Sequence, residues 1–384
     1  MKKILLLICS CLIFTATAFA KPIRPFPMVM YSADSQVGSP TNPQVGPPTD
    51  AEFQELKDWG INYVHSYSLG RDIKKDQQFF DLAQKYHLKV AANLDGKSRV
   101  GVEGGLDAMR AYVEHFKNNP ALGFWYLYDE PPYPKIKAAD ILPFYQMLKA
   151  ETPDVPVAVC HAWTDHWYSY TDVQDILING LYPVTGAPFP DAKLNQLTAF
   201  TKGAVHLSDT VIPVIQFFNW QNLAKPDEIK LRGYAVDQLR YPNTAEMRYM
   251  CFSSIAQGAR GLAFYSYFRR TPPDPKWAEQ TAAPVLRQVR KFADQVLDPG
   301  TLKWRSAEND CLISVWQVQD KTYMILANAT SQRRDIDQSL EQIPSGDLQP
   351  WGKTRKVRAS IKSAKITVSQ AKPWEVFIWE IVSK

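Results

Sequence analysis

From Pro27 to Pro299 the chain alternates short apolar runs with stretches whose apolar positions recur at helical spacing. The apolar runs predict strands over 28–31, 61–67, 88–94, 123–128, 155–161, 176–182, 211–218 and 261–267. The amphipathic stretches predict helices over 49–59, 77–86, 106–117, 138–151, 192–202, 246–257 and 277–296, the first with Thr49 or Asp50 as its N-cap. The stretch after the fifth strand has little helical character. Strands that take turns with helices imply a parallel sheet, and eight such units imply closure into a (β/α)8 TIM barrel, an α/β fold. A doubly wound open sheet would need a phosphate-binding glycine turn behind its first strand. Here that turn, Ser35 to Pro48, is rich in proline and lacks G-x-G-x-x-G.

Beyond Pro299-Gly300 the pattern changes to strands alone, over 311–318, 322–327, 357–361, 365–368 and 376–381. Turn residues such as Gln319-Asp320 and Pro344-Ser345-Gly346 separate them. This predicts a small C-terminal antiparallel β-sandwich over 300–384, behind a barrel over 21–299. Ahead of the barrel, Met1-Lys2-Lys3, an apolar run to Phe14 and the ending Ala18-Phe19-Ala20 read as a secretory signal peptide over 1–20, cleaved after Ala20. The run is too short to span a bilayer, which takes ~20 apolar residues. No later segment is apolar enough for a membrane helix. The mature chain is therefore expected in the periplasm or outside the cell.

Loss of Lys2 and Lys3 takes the formal charge from +5 to +3, which gives no reason to expect nucleic acid or an anionic membrane as partner. Cys160, Cys251 and Cys311 remain, widely spaced and odd in number, with neither a zinc signature nor a disulfide framework. Cys160 and Cys251 lie in apolar stretches and read as small core residues. No G-x-S-x-G elbow and no His-Glu-x-x-His helix is present, so serine esterase and zinc protease chemistry have no support. No metal and no cofactor is expected.

In a barrel of this kind the reacting groups stand at the C-terminal ends of the strands. Those ends carry Tyr31 and Asp34, His65 and Tyr67, Asn93 and Asp95, then Tyr128, Asp129 and Glu130 on the first four strands. The other four carry His161 and Trp163, then Tyr182, then Gln216, Asn219 and Trp220, then Tyr265 and Tyr267, the last two expected on one face. Rings suit the flat C–H faces of sugars, and carboxylates, amides and imidazoles suit their hydroxyls, so the expected ligand is carbohydrate. Phosphate ligands would call for arginine, lysine and glycine amides, which are sparse there.

The sharpest segment is Gly123-Phe124-Trp125-Tyr126-Leu127-Tyr128-Asp129-Glu130-Pro131. Two adjacent acids at a strand end are costly unless used or paired. Pro131 is expected to hold Glu130 in an extended conformation. Burial among Trp125, Tyr126 and Tyr128 would raise its pKa, as a general acid requires.

This segment resembles the strand-four end of the retaining (β/α)8 glycoside hydrolases of the large clan that ends that strand in Asn-Glu or Asp-Glu, often followed by Pro. Arg248-Tyr249-Met250, Ala256-Gln257-Gly258-Ala259-Arg260-Gly261 and Phe264-Tyr265-Ser266-Tyr267 are similar to helix seven and strand eight of such barrels. The resemblance implies Glu130 as proton donor and Asp129 as the residue that holds the sugar's 2-substituent. It also implies a nucleophilic Glu at the end of strand seven, but Val211 to Trp220 contains no acid, and strand eight offers Tyr265 or Tyr267 in place of a Trp. Three outcomes stay open: a water attacks with Asp95 or Asp34 as base; the substrate's own 2-acetamido group attacks, oriented by Asp129 and held by Tyr182; or the barrel binds glycan without cleaving it. The expected function is a secreted glycoside hydrolase, with a non-catalytic glycan-binding barrel as the alternative.

Overall fold

The structure is a computed structural model that describes residues 23–31, 48–162, 164–184, 191–222, 235, 239–267, 274–339, 343, 345–357, 359–362 and 364–382. The leader read at 1–20, together with Asp34 and Trp163, lies outside the described residues.

Eight short apolar segments form the parallel ring: β1 (Met28–Met30), β2 (Tyr63–His65), β3 (Lys89–Asn93), β4 (Leu122–Asp129), β5 (Val157–His161), β6 (Ile176–Gly180), β7 (Val211–Gln216) and β8 (Leu262–Tyr265). They pair in chain order, and β8 closes on β1 with Val29 opposite Ala263. The strands read as nearly continuous apolar runs because both faces are covered. The inner face fills the lumen with Val29, Tyr63, Ala91, Phe124, Ala158, Ile178, Ile212, Val214 and Ala263, with Tyr31, Tyr126 and Cys160 above them.

The helices behind the strands are α1 (Asp50–Asp58), α2 (Ile73–Lys85), α3 (Gly96–Arg99), α4 (Gly105–Phe116), α5 (Ala138–Glu151), α6 (Asp191–Ala204), α7 (Thr244–Ala256) and α8 (residues 275–297). Thr49 is the cap of α1: its hydroxyl accepts from the Glu52 amide at 3.3 Å, and the Glu52 carboxylate accepts from the Thr49 amide at 2.7 Å. The second helix starts four residues ahead of the expected Gln77, because Asp72 caps the amides of Lys74 and Lys75 at 3.1 and 3.2 Å. Behind β5 stands a 3-10 segment, Thr164–Val173, in agreement with the weak helical pattern there.

The C-terminal part is the expected antiparallel sandwich, with eight strands in place of five: β9 (Thr301–Glu308), β10 (Cys311–Val318), β11 (Lys321–Asn328), β12 (Arg334–Ser339), β13 (Asp347–Pro350), β14 (Ala359–Lys362), β15 (Lys365–Ala371) and β16 (Val376–Val382). One sheet runs β13-β16-β11-β10-β9 and the other β12-β15-β14. Strands β9, β12 and β13 all lie at sheet edges, where polar, half-exposed residues blunt the apolar signal. The outer face of the larger sheet (Leu312, Trp316, Ile325, Ala327, Val376, Ile378) joins the core of the barrel's helix layer. No helix among the described residues is long and apolar enough to cross a membrane.

Candidate active site

Strand β4 sets the geometry of the mouth. Its pairing with β5 shifts between Tyr126 and Tyr128, so Tyr126 lies opposite Ala158 and Asp129 opposite Cys160. In a regular strand residues three apart point to opposite faces. The bulge brings Asp129 round to the side of Tyr126, whose hydroxyl donates to Asp129 Oδ1 at 2.7 Å. On the other oxygen the Lys97 ammonium, from α3, donates to Asp129 Oδ2 at 3.0 Å.

Glu130 follows with its amide still bonded to the Cys160 carbonyl at 2.8 Å. Its φ is +54°, in the left-handed region, and not the extended conformation expected ahead of Pro131. That geometry costs a non-glycine residue about 1–2 kcal/mol; here the strand bonds before it and the proline turn after it hold it in place. The side chain is exposed at the rim and makes no ion pair among the described residues. Partial burial of the carboxyl, then the Asp129 charge, push its pKa up, and Lys97 pulls it back. The Tyr182, Tyr265 and Cys160 groups are raised by burial first, and the Glu130 charge adds to this in each.

The opposite wall is aromatic. Tyr182 and Tyr265 stack at 5.4 Å and 21°, Phe218 meets Tyr182 edge-on at 5.0 Å, and Trp220 packs on Phe218 at 5.1 Å. Beneath, His65 is fully buried among Tyr31, Tyr67 and Tyr126, with ring centroids at 4.5, 4.7 and 4.6 Å. Burial holds its pKa down at about 3, so the imidazole is neutral.

The remaining candidates are turned to structural partners. Asp95 lies at the start of α3 with φ +51°, its carboxylate on Arg71 Nε at 3.1 Å and the Ser98 hydroxyl at 2.6 Å. The Asn93 amide donates to the Leu69 carbonyl at 3.1 Å. Gln216 clamps Val184, accepting from its amide at 2.8 Å and donating to its carbonyl at 2.6 Å. The Asn219 side chain accepts from the Gln221 amide at 3.1 Å. Tyr128 packs in the helix layer beside Gly96. His161 faces the same layer and bonds Gln174 at 2.9 Å, its pKa held down at about 4 by burial.

Tyr267 departs from the expected shared face with Tyr265. Its hydroxyl donates to Glu55 at 2.6 Å and its ring meets Trp59, between barrel and helices. The ladder of β8 ends at Tyr265, so the alternation does not extend to Tyr267. Lys97, Tyr126 and Phe218 belong to the mouth and were not among the expected site residues. Lys97 could have been suspected as one of two cations, with Arg99, in the short turn after strand three; Tyr126 was expected only to help bury Glu130, because regular alternation puts it on the other face from Asp129. Among the described residues no three His, Cys, Asp or Glu side chains gather as a metal would require.

This frame is shared with solved glycoside hydrolases. An Anoxybacillus alpha-amylase superposes with TM-score 0.61 at 9% identity, over 94% of this chain and 98% of that one. An alpha-amylase of Geobacillus thermoleovorans, complexed with acarbose, gives 0.61 at 10% identity, over 94% and 99%. A β-L-arabinopyranosidase of Geobacillus stearothermophilus, in complex with arabinose, gives 0.59 at 10% identity, over 93% and 97%. At such identities the likeness is one of fold. No protein-family model matches the sequence, and no curated protein matches it.

Proposed function

We propose that the protein is an exported glycoside hydrolase in which Glu130 protonates the leaving glycosidic oxygen. The observation that carries this reading is the pairing at the end of β4: a carboxyl with a raised pKa at the barrel mouth, next to a second carboxylate gripped on both oxygens. A raised pKa keeps the proton on Glu130 to higher pH than on an ordinary carboxyl group, the direction that acid-assisted cleavage needs. The Tyr182–Tyr265 wall gives a sugar ring a face to lie against. Resemblance of the Asp-Glu-Pro segment and the fold of the amylase and arabinopyranosidase barrels support the same class.

The second carboxyl role goes to Asp129 in this reading. Asp95 is engaged by Arg71 and Ser98, and the charges that act on Glu130 are those of Asp129 and Lys97. Held by Tyr126 and Lys97, Asp129 is suited to orient a substituent of the bound sugar while Glu130 donates the proton. Export follows from the leader read at residues 1–20.

Wild type and Glu130→Gln are to be compared on aryl glycosides and polysaccharides. Turnover by wild type with a loss of 10²-fold or more in the variant is expected, since general acid catalysis contributes about 10²–10⁴-fold. Binding of glycan by both proteins with turnover by neither would replace the hydrolase with a glycan-binding barrel.

A further inference from the structure

Among the described residues the three most exposed large apolar side chains are Tyr168 at 65%, Val102 at 55% and Tyr133 at 44%. They stand on the segments that follow β5, β3 and β4, three neighbouring strands, at the barrel end that carries Glu130. These segments are tied together. The Tyr133 ring stacks on His166 at 3.9 Å and 26°, and the Tyr170 hydroxyl donates to the Ile136 carbonyl at 2.6 Å. Ile136 also lies beside Gly101, next to Val102.

Tyr133 is three residues beyond Glu130 and is flanked by Pro131, Pro132 and Pro134. The amides of Tyr133 and Lys135 close turns on the carbonyls of Pro131 and Pro132 at 3.0 and 2.8 Å. The ring is thus held by covalent stiffness and by His166 while one side stays open to solvent. Exposed apolar side chains that cluster at a site mouth mark a binding surface. A ring already fixed in place loses little freedom when a ligand lies on it. The surface is made of separate tyrosines with polar edges beside an imidazole, continuous with the loop that carries Glu130. That chemistry fits a sugar chain, whose units offer a C–H face and hydroxyls by turns, better than an apolar partner face.

We propose that Tyr133 and Tyr168 form a stacking platform for the further units of a carbohydrate chain whose first units sit at Glu130, so that the substrate is an oligo- or polysaccharide. This rests on the glycosidase reading of the same mouth, and binding can be measured apart from turnover. In the Glu130→Gln background, malto-, cello-, xylo-, manno- and chito-oligosaccharides of one to six units are titrated by calorimetry. One series should bind more tightly with each unit beyond the second. Tyr133→Ala and Tyr168→Ala should each weaken the longer members by about two- to ten-fold, and Tyr133→Phe should retain the longer-chain affinity. Thermal melts check that the variants fold, and both side chains are exposed. Affinity independent of chain length, an equal loss on the single sugar, or no binding by any series would overturn the platform. If wild type fails to cleave an oligomer that it binds through these rings, the platform stands and the hydrolase reading falls.

Discussion

The Lys97 ammonium sits 3.0 Å from Asp129 and pulls the Glu130 carboxyl down, while burial and Asp129 push it up. Glu130 works as a proton donor only in its protonated form, so activity is lost as pH rises through its raised pKa. Removing the ammonium takes away the one pull in the other direction. In Lys97→Met the alkaline limb of kcat/KM should therefore move to higher pH, and Lys97→Arg should restore it. The Lys97–Asp129 pair is half exposed and contributes roughly 0–1 kcal/mol to stability, so the variant should fold, as a thermal melt would check. A limb that stays in place or moves to lower pH would separate Lys97 from the acid. At this scale the sequence marks Asp129 and Glu130, because adjacent acids at a strand end stand out without any coordinates. It does not mark their partners. The Tyr126–Asp129 bond depends on a one-residue shift of β4 against β5, and no residue type around Leu127 announces that shift.

At the scale of elements, the eight parallel strands are legible because each is apolar on both faces, and α1 because Thr49 stands where a cap is wanted; the Asn243–Glu246 capping box starts α7 at Thr244, two residues ahead of the expected 246. The four-residue α3 is not legible, since it has no room for a helical period. Yet α3 carries Lys97 to the site, and Gly96 lets it approach. A methyl group at Gly96 would run into the Leu127 carbonyl and come within 2.9 Å of the Tyr128 ring, both on β4. Backbone cannot step aside as a flexible side-chain end can. Gly96→Ala should therefore lift α3 away from β4, at a cost of about 1–3 kcal/mol. Because the shift moves Lys97 off Asp129, the change in pH profile should resemble that of Lys97→Met. A melting temperature and pH profile equal to wild type would mean that the contact is not needed to place Lys97.

At the scale of the whole molecule, α7 is the element that joins the barrel to the sandwich. Every residue from Met247 to Ala256 except Arg248 is buried, although a helix of an isolated barrel would present a polar stripe to water. One side of α7 packs on β7 and the other on β10, β11 and β16. Tyr249 meets Trp374 at 5.0 Å, and Arg248 bonds the Gln288 amide oxygen at 3.0 Å and the Val376 carbonyl. Burial pulls the Arg248 pKa down to about 10, against the Glu375 charge, which leaves it a cation at neutral pH. Beyond its first turn the helix thus has almost no solvent face, in place of the polar stripe that the amphipathic reading implied, and Ser253 and Ser254 are buried with the rest. A chain ended at Pro299 would uncover Tyr249 and leave Arg248 without the Val376 carbonyl. It should appear in the insoluble fraction, or bind a hydrophobic dye without a cooperative melt. Trp374→Ala, a milder cut at the same seam, should lower stability by about 3–5 kcal/mol in chemical denaturation. A soluble 21–299 fragment with the melting temperature of the full chain would mean that the sandwich only rests on the barrel. Loss of both folds together would make the sandwich part of what holds β7, and with it the aromatic wall from Phe218 to Tyr265, in place.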